Sequence, residues 1–303
     1  MTEKRYELRK QMKSVRWMIF WVVLAQFAAE VFVEAVVSFM PNPPHKYVQI
    51  ALVEIFAIGV PISIYAKTAW NGNGKKIKQE FCLNKCSARH IVMAALLGIS
   101  GQFVMMLLNI PANIISGLLF PERAVDVIPI AEHWYDILLG VFLVVILPAV
   151  LEEFWMRGII FCAYSRLNTT AAVLFTAIMF ALLHLRLNEV VGFFFMGVLA
   201  SVILIKSGSI YAAMTYHAFS NLTALLFGAF IAPRIMSYIW VAFLVIALIF
   251  VLLLTILLKN KNKMQINKSF KASTIVITSI FSLPVILSVL TVIVKHFLLK
   301  VAG

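Results

Sequence analysis

Long apolar runs alternate with short polar connections along this chain, and within each run the apolar residues are continuous rather than placed at every second position. A helix that crosses a bilayer needs roughly 20 apolar residues, whereas a barrel strand shows about ten residues of period-two alternation. The runs have the first character. They predict helices over about 17–40, 47–65, 91–120, 137–163, 170–187, 190–205, 210–231, 235–258 and 274–298. The expected fold class is all-α, a polytopic membrane protein of about 8–9 transmembrane helices, because helices and closed barrels alone satisfy their backbone in lipid. The breaks use turn-forming residues: Pro41-Asn42-Pro43-Pro44, Asn71-Gly72-Asn73-Gly74, Lys206-Ser207-Gly208-Ser209 and Pro233-Arg234. Pro61, Pro111 and Pro148 fall inside predicted helices, where a missing N–H is expected to bend them.

Composition strengthens this picture. At 62% hydrophobic residues and a mean hydropathy of +0.97, the chain is no soluble domain. The net charge of +13 would suit nucleic acid, but Lys and Arg collect at the N-terminus and in short connections, as the positive-inside rule produces. The expected partner is therefore the lipid bilayer, with no nucleic acid. Lys4, Arg5, Arg9, Lys10, Lys13 and Arg16 place the N-terminus in the cytoplasm, and the Lys- and Asn-rich loops point to a bacterial plasma membrane. The first apolar run carries Glu30 and Glu34 and is expected to stay as an anchor rather than be cleaved. Lys295, His296 and Lys300 sit at the wrong end of the last helix for the rule. Of three cysteines, Cys82 and Cys86 lie in a basic loop without a second ligand pair, so zinc is not expected there.

The candidate chemistry lies in polar residues inside the apolar runs. Glu152, Glu153 and Arg157 stand in an otherwise apolar stretch. Uncompensated at the bilayer centre, they would cost on the order of 8–10 kcal/mol together. Glu153 and Arg157 are i, i+4 with the acid first, the favourable order for an intrahelical pair, whereas Glu152 projects about 100° away. His217 and Asn221 also share a face, and His184 ends the fifth helix. Counted from the cytoplasmic ends, Glu152 lies roughly 15–20 Å deep, His184 about 20 Å, His217 about 11 Å and Asn221 about 17 Å. They can occupy one layer. A carboxylate and an imidazole there can activate water, and a His and an Asn can hold a tetrahedral oxygen. The alternative use of Glu152, His184 and His217 is to bind a divalent metal such as zinc. The His-Glu-x-x-His and Gly-x-Ser-x-Gly signatures are absent.

Glu152-Glu153-x-x-x-Arg157-Gly158, Phe180-x-x-x-His184 and His217-x-x-x-Asn221, in order on successive helices, resemble the three motifs of the CPBP family of CAAX-protease and bacteriocin-processing (Abi) intramembrane endopeptidases. Gly197 and the Ser207-Gly208-Ser209 turn are similar to its pattern too, and the resemblance covers about 138–228. Similarity to the type II CAAX prenyl endopeptidases implies a conical or cavity-containing core. It also implies that Glu152 and His184 activate water, that His217 and Asn221 form an oxyanion site, and that Glu153 and Arg157 support the pocket. No cofactor is implied in the glutamate form of the mechanism. The implied substrate is a membrane-associated peptide or protein, in a bacterium a pheromone or bacteriocin precursor.

These readings divide the chain into an N-terminal three-helix segment (1–134), a catalytic core of helices four to seven (135–232) and a C-terminal two-helix segment (233–303). Gln26, Glu30 and Glu34 lie at i, i+4, i+8 on the first helix, and Glu54 lies in the second. They read either as a packed polar stripe or as a substrate or proton path. The rival to a protease is accordingly a non-catalytic immunity, scaffold or proton-coupled transport protein.

Overall fold

The computed structural model describes residues 3–70, 78, 81–119, 134–184, 186–227 and 239–301. Among them there is no strand, and an isolated antiparallel bridge joins Asn168 to Lys268. The all-α membrane architecture expected from the apolar runs is the one observed. The Asn71-Gly72-Asn73-Gly74 turn and Pro233-Arg234 lie outside the described residues.

The elements, in chain order, are α1 (Glu3–Ser38), α2 (46–70), α3 (Ala88–Leu108), α4 (Ile110–Leu119), α5 (Trp134–Ser165), α6 (Thr169–His184), α7 (Val190–Ser207), α8 (Ile210–Leu226), α9 (Ile239–Lys259), α10 (Ala272–Ile280) and α11 (Leu283–Val301). Among the described residues six helices are long and apolar enough to cross a membrane, or seven if α10 and α11, bent by 55°, are one span. The expected count of eight or nine is not confirmed, because the described parts of two helices fall short of a span. With 16 and 17 residues, α6 and α8 rise only about 24–26 Å, short of a hydrocarbon core of about 30 Å. Both lie inside the bundle, with α6 packed on α7 and α8 on α3.

Two other expectations change. The predicted third helix is two, α3 and α4, divided at Asn109, so that Pro111 falls in the first turn of α4, where its missing N–H leaves no bond unmade. The predicted ninth helix is broken at Phe281 and Ser282.

Prolines within α2 and α5 have a shared local solution. The π-helical stretch Ile55–Gly59 ends two residues before Pro61, and Val141–Ile146 ends two residues before Pro148. A wider turn on the N-terminal side relieves the clash between the proline ring and the carbonyl four residues back. A third π stretch, Phe154–Phe161, has no proline and carries Arg157.

One core cluster runs from Met12 on α1 to Val285 on α11 and takes residues from every helix except α4. Large apolar side chains left exposed, among them Phe32, Phe39, Leu118, Leu248 and Phe281, suit contact with lipid tails. Two glycines set how closely the inner helices cross. A Cβ at Gly98 of α3 would fall on the Tyr216 carbonyl of α8, and one at Gly197 of α7 would lie 2.7 Å from Ala177 Cα of α6. Because that neighbour is backbone, Gly197→Val should destabilise the protein by at least about 1–3 kcal/mol. Unfolding of the purified protein in mixed micelles would measure it, and a variant as stable as the parent would contradict the crossing.

A loop ties the two helices that matter most. Asn84 Nδ2 donates to the Gly208 carbonyl at 2.9 Å, and Ser209 Oγ donates to the Asn84 carbonyl at 2.7 Å. The Ile210 N–H donates to the Cys82 carbonyl at 3.1 Å. The Phe81 ring lies where a Cβ on Gly158 of α5 would be, and Cys82 Sγ hydrogen-bonds Cys162 Sγ at 2.8 Å. The start of α8 and the second half of α5 are thus held to one segment. Gly208, at φ +69, closes α7 in the left-handed conformation that glycine adopts without strain.

Candidate active site

α5 delivers two adjacent carboxylates to different environments. Glu153 and Arg157 are fully enclosed, while Glu152 is 9% exposed. Arg157 Nη1 donates to Glu153 Oε1 at 2.9 Å, the intrahelical pair its spacing predicts. The pair has two further partners from other helices. Arg157 Nη2 donates to the Gly197 carbonyl of α7 at 3.0 Å, and His217 Nδ1 of α8 lies 3.0 Å from the same Glu153 Oε1. Arg157 also lies over the Phe180 ring, 5.1 Å from its centroid, a cation–π contact in a desolvated setting. The close approach of α7 that Gly197 permits is what brings that carbonyl within reach.

Glu152 faces elsewhere. It lines a cavity of about 990 Å³, formed by the C-terminal halves of α1 and α3, the N-terminal half of α2, and parts of α5, α6, α7 and α8. His184, at the end of α6, lines the same cavity, with its Nε2 4.0 Å from Glu152 Oε2. Its ring is fixed on both sides. Nδ1 lies 2.8 Å from the Phe180 carbonyl, and the ring stacks on Phe193 with centroids 3.9 Å apart at 25°. A ring nitrogen facing a carbonyl carries its proton there, so Nε2 presents its lone pair toward Glu152.

Asn221 also lines the cavity. Its Nδ2 donates to the Val144 carbonyl at 3.5 Å, a long bond. Pro148 has no N–H to give the carbonyl four residues back, which is that of Val144, so the proline leaves an acceptor for the asparagine.

Here the structure departs from the expected donor pair. His217 and Asn221 do share one face of α8, yet His217 is 2% exposed and is held by Glu153 rather than turned into the cavity. With Nδ1 hydrogen-bonded to a carboxylate, its Nε2 donates only when the ring is an imidazolium. The three residues weighed as metal ligands, Glu152, His184 and His217, are likewise not gathered on one point. Among the described residues no group of three His, Cys, Asp or Glu side chains could hold a metal ion. The donor set does not fit a bound zinc.

Sequence reasoning passed over Phe193 and the contacts of Phe180. Phe180 touches His184 at 4.6 Å and His217 at 5.7 Å between centroids, besides Arg157. In an apolar run nothing distinguishes such rings from lipid-facing ones. Trp155 is a third case: it lines the cavity and its buried Nε1 has no partner among the described residues.

Residues 134–223, just under a third of the chain, match the family model described as type II CAAX prenyl endopeptidase Rce1-like. No curated protein and no solved structure matches the chain. The matched segment contains Glu152, Glu153, Arg157, His184, His217 and Asn221 and ends before α9, while Glu30, Glu34 and Glu54 lie outside it. Over that segment, set in a bundle of helices long and apolar enough to cross a membrane, this integral membrane protein is similar to the CAAX-protease-like family.

Proposed function

We propose that this protein is an intramembrane endopeptidase that hydrolyses a peptide bond of a membrane-associated peptide or precursor, with water activated by Glu152 and His184. The supporting observation is that α5 and α6 bring Glu152 Oε2 and His184 Nε2 to 4.0 Å at the wall of one cavity. A water about 2.8 Å from each would be held at an angle of about 90° between them, so both its protons have acceptors. Glu152 takes one proton as the water oxygen attacks the carbonyl carbon, and the carbonyl oxygen becomes an oxyanion. Asn221 Nδ2, whose present bond is long, donates to that oxygen; His217 joins it only as an imidazolium. Glu152 then returns its proton to the leaving nitrogen, the C–N bond breaks, and a carboxylic acid and an amine leave, which share the remaining proton as carboxylate and ammonium.

This chemistry uses no metal. The purified enzyme should therefore keep its activity through exhaustive chelation with EDTA and 1,10-phenanthroline, measured as peptide cleavage by mass spectrometry. Activity lost to chelator and restored by zinc would overturn the mechanism.

A second reading, proton-coupled or other non-catalytic function, has one observation in its favour: Glu30, Glu34 and Glu54 line the same cavity. It requires that a Glu152→Gln strain keep its phenotype while Glu30→Gln or Glu34→Gln loses it.

A further inference from the structure

The cavity is acidic on the side that the family segment does not supply. Glu30 and Glu34 from α1 and Glu54 from α2 line it together with Glu152 of α5. Glu30 accepts from Gln26 Nε2 at 3.4 Å. The carboxylate of Glu54 is close enough to those of Glu30 and Glu152 to interact with both. Among the described lining residues the ordinary cations are Lys46 and Arg186, and Arg186 is engaged by Glu189 at 3.2 Å.

Two features point to a missing partner. Glu54 Oε2 is shut off from solvent and has no hydrogen-bond partner among the described residues. Glu152 is nine-tenths buried, faces the cavity, and has no group within hydrogen-bond distance among the described residues, His184 being 4.0 Å away. Like charges gathered in an apolar-walled cavity raise one another's energy, and a cation entering among them relieves it. A point metal ion does not fit, because the carboxylates are spread over three helices and no three donors converge. A flexible ammonium, or a guanidinium with five donors, can span acceptors spaced in this way.

We propose that Glu30, Glu34 and Glu54 form a cation-selective subsite beside Glu152, and that the peptides this protein takes carry a Lys or Arg close to the bond it cleaves. The inference rests on the proteolytic reading in calling the occupant a substrate. The subsite itself is a binding property and is tested as one.

The full-length protein is reconstituted in phosphatidylcholine vesicles, whose neutral surface does not itself attract cations. Two dye-labelled apolar peptides are compared that differ at one position, Lys in one and norleucine in the other, with protein-free vesicles as the blank. The wild type should bind the Lys peptide at least about tenfold more tightly, the ratio one charge-assisted hydrogen bond supplies. The preference should shrink as salt rises. In the Glu30→Gln/Glu34→Gln/Glu54→Gln variant the ratio should fall to near one. In Glu34→Lys, which alters a single exposed position near the end of α1, it should also drop, so a folding defect in the triple variant does not decide the outcome. Equal binding of the two peptides by the wild type, or a preference that survives both variants, overturns the proposal. Cleavage of the same peptides is followed by mass spectrometry. A Lys preference without any cleavage counts against the protease reading alone; cleavage without a Lys preference counts against the subsite alone.

Discussion

Replacing Glu152 with Ala is expected to abolish peptide cleavage while leaving membrane insertion intact. The size follows from the role: a positioned general base contributes typically 10²–10⁴-fold, and the neighbouring carboxylate in sequence cannot take over. Glu153 is adjacent in sequence but enclosed, with its Oε1 committed to Arg157 and His217. His184→Ala should lose a comparable amount, because it removes the Nε2 acceptor 4.0 Å from Glu152. Both side chains reach the cavity, so neither change opens a closed core. The measurement is the peptide content of membranes from cells carrying wild-type or Glu152→Ala protein, compared by mass spectrometry, with insertion checked by membrane fractionation. Identical peptide contents, with both proteins inserted in equal amount, would sink the proposal.

The second large effect is on stability rather than chemistry. Arg157→Met should destabilise the protein by about 3–5 kcal/mol, the usual cost of leaving one member of a buried ion pair without its partner. The stranded group would be Glu153, fully enclosed and left with His217 alone. The double variant Glu153→Leu/Arg157→Met should lose less than Arg157→Met does. It removes both charges, and a buried pair replaced by apolar residues of similar volume is often no less stable. Unfolding in mixed micelles, run as a double-mutant cycle with Glu153→Leu, checks this. Strict additivity would mean that the two charges do not depend on each other. If activity is lost in the double variant while stability returns, the pair also positions His217, and not only the helix.

Most of the helices could be read from the chain because their cause is local. Continuous apolar runs broken by Pro, Gly and Asn give the same signal whatever packs around them. The signal fails where span and helix part company. Apolarity does not say whether a 16-residue helix such as α6 meets lipid on both sides or lies inside the bundle. Nor does apolarity separate α10 from α11; the signal for that break is Ser282 followed by Pro284, a helix-start pattern inside one apolar run. At the site, the i, i+4 rule correctly paired Glu153 with Arg157 and set Glu152 apart, because both are properties of one helix. The same rule placed His217 and Asn221 on one face but could not say what that face meets. His217 meets Glu153 from α5, and Asn221 meets the carbonyl that Pro148 leaves without a donor.

The sequence by itself determined that this is an all-α membrane protein and that ionisable residues are spent inside its apolar helices. Helical period, apolar length and the cost of burying charge depend only on the order of residues. The tertiary structure alone decided how the charges are shared out. It joined Arg157, Glu153, His217 and the Gly197 carbonyl into one enclosed cluster, turned Glu152 and His184 toward a common cavity, and set Glu30, Glu34 and Glu54 around the same space. Those contacts run between helices far apart in sequence, and they are fixed by how closely the helices cross. That closeness is set by single atoms, such as the missing Cβ of Gly98 and Gly197, which no periodicity along the chain records.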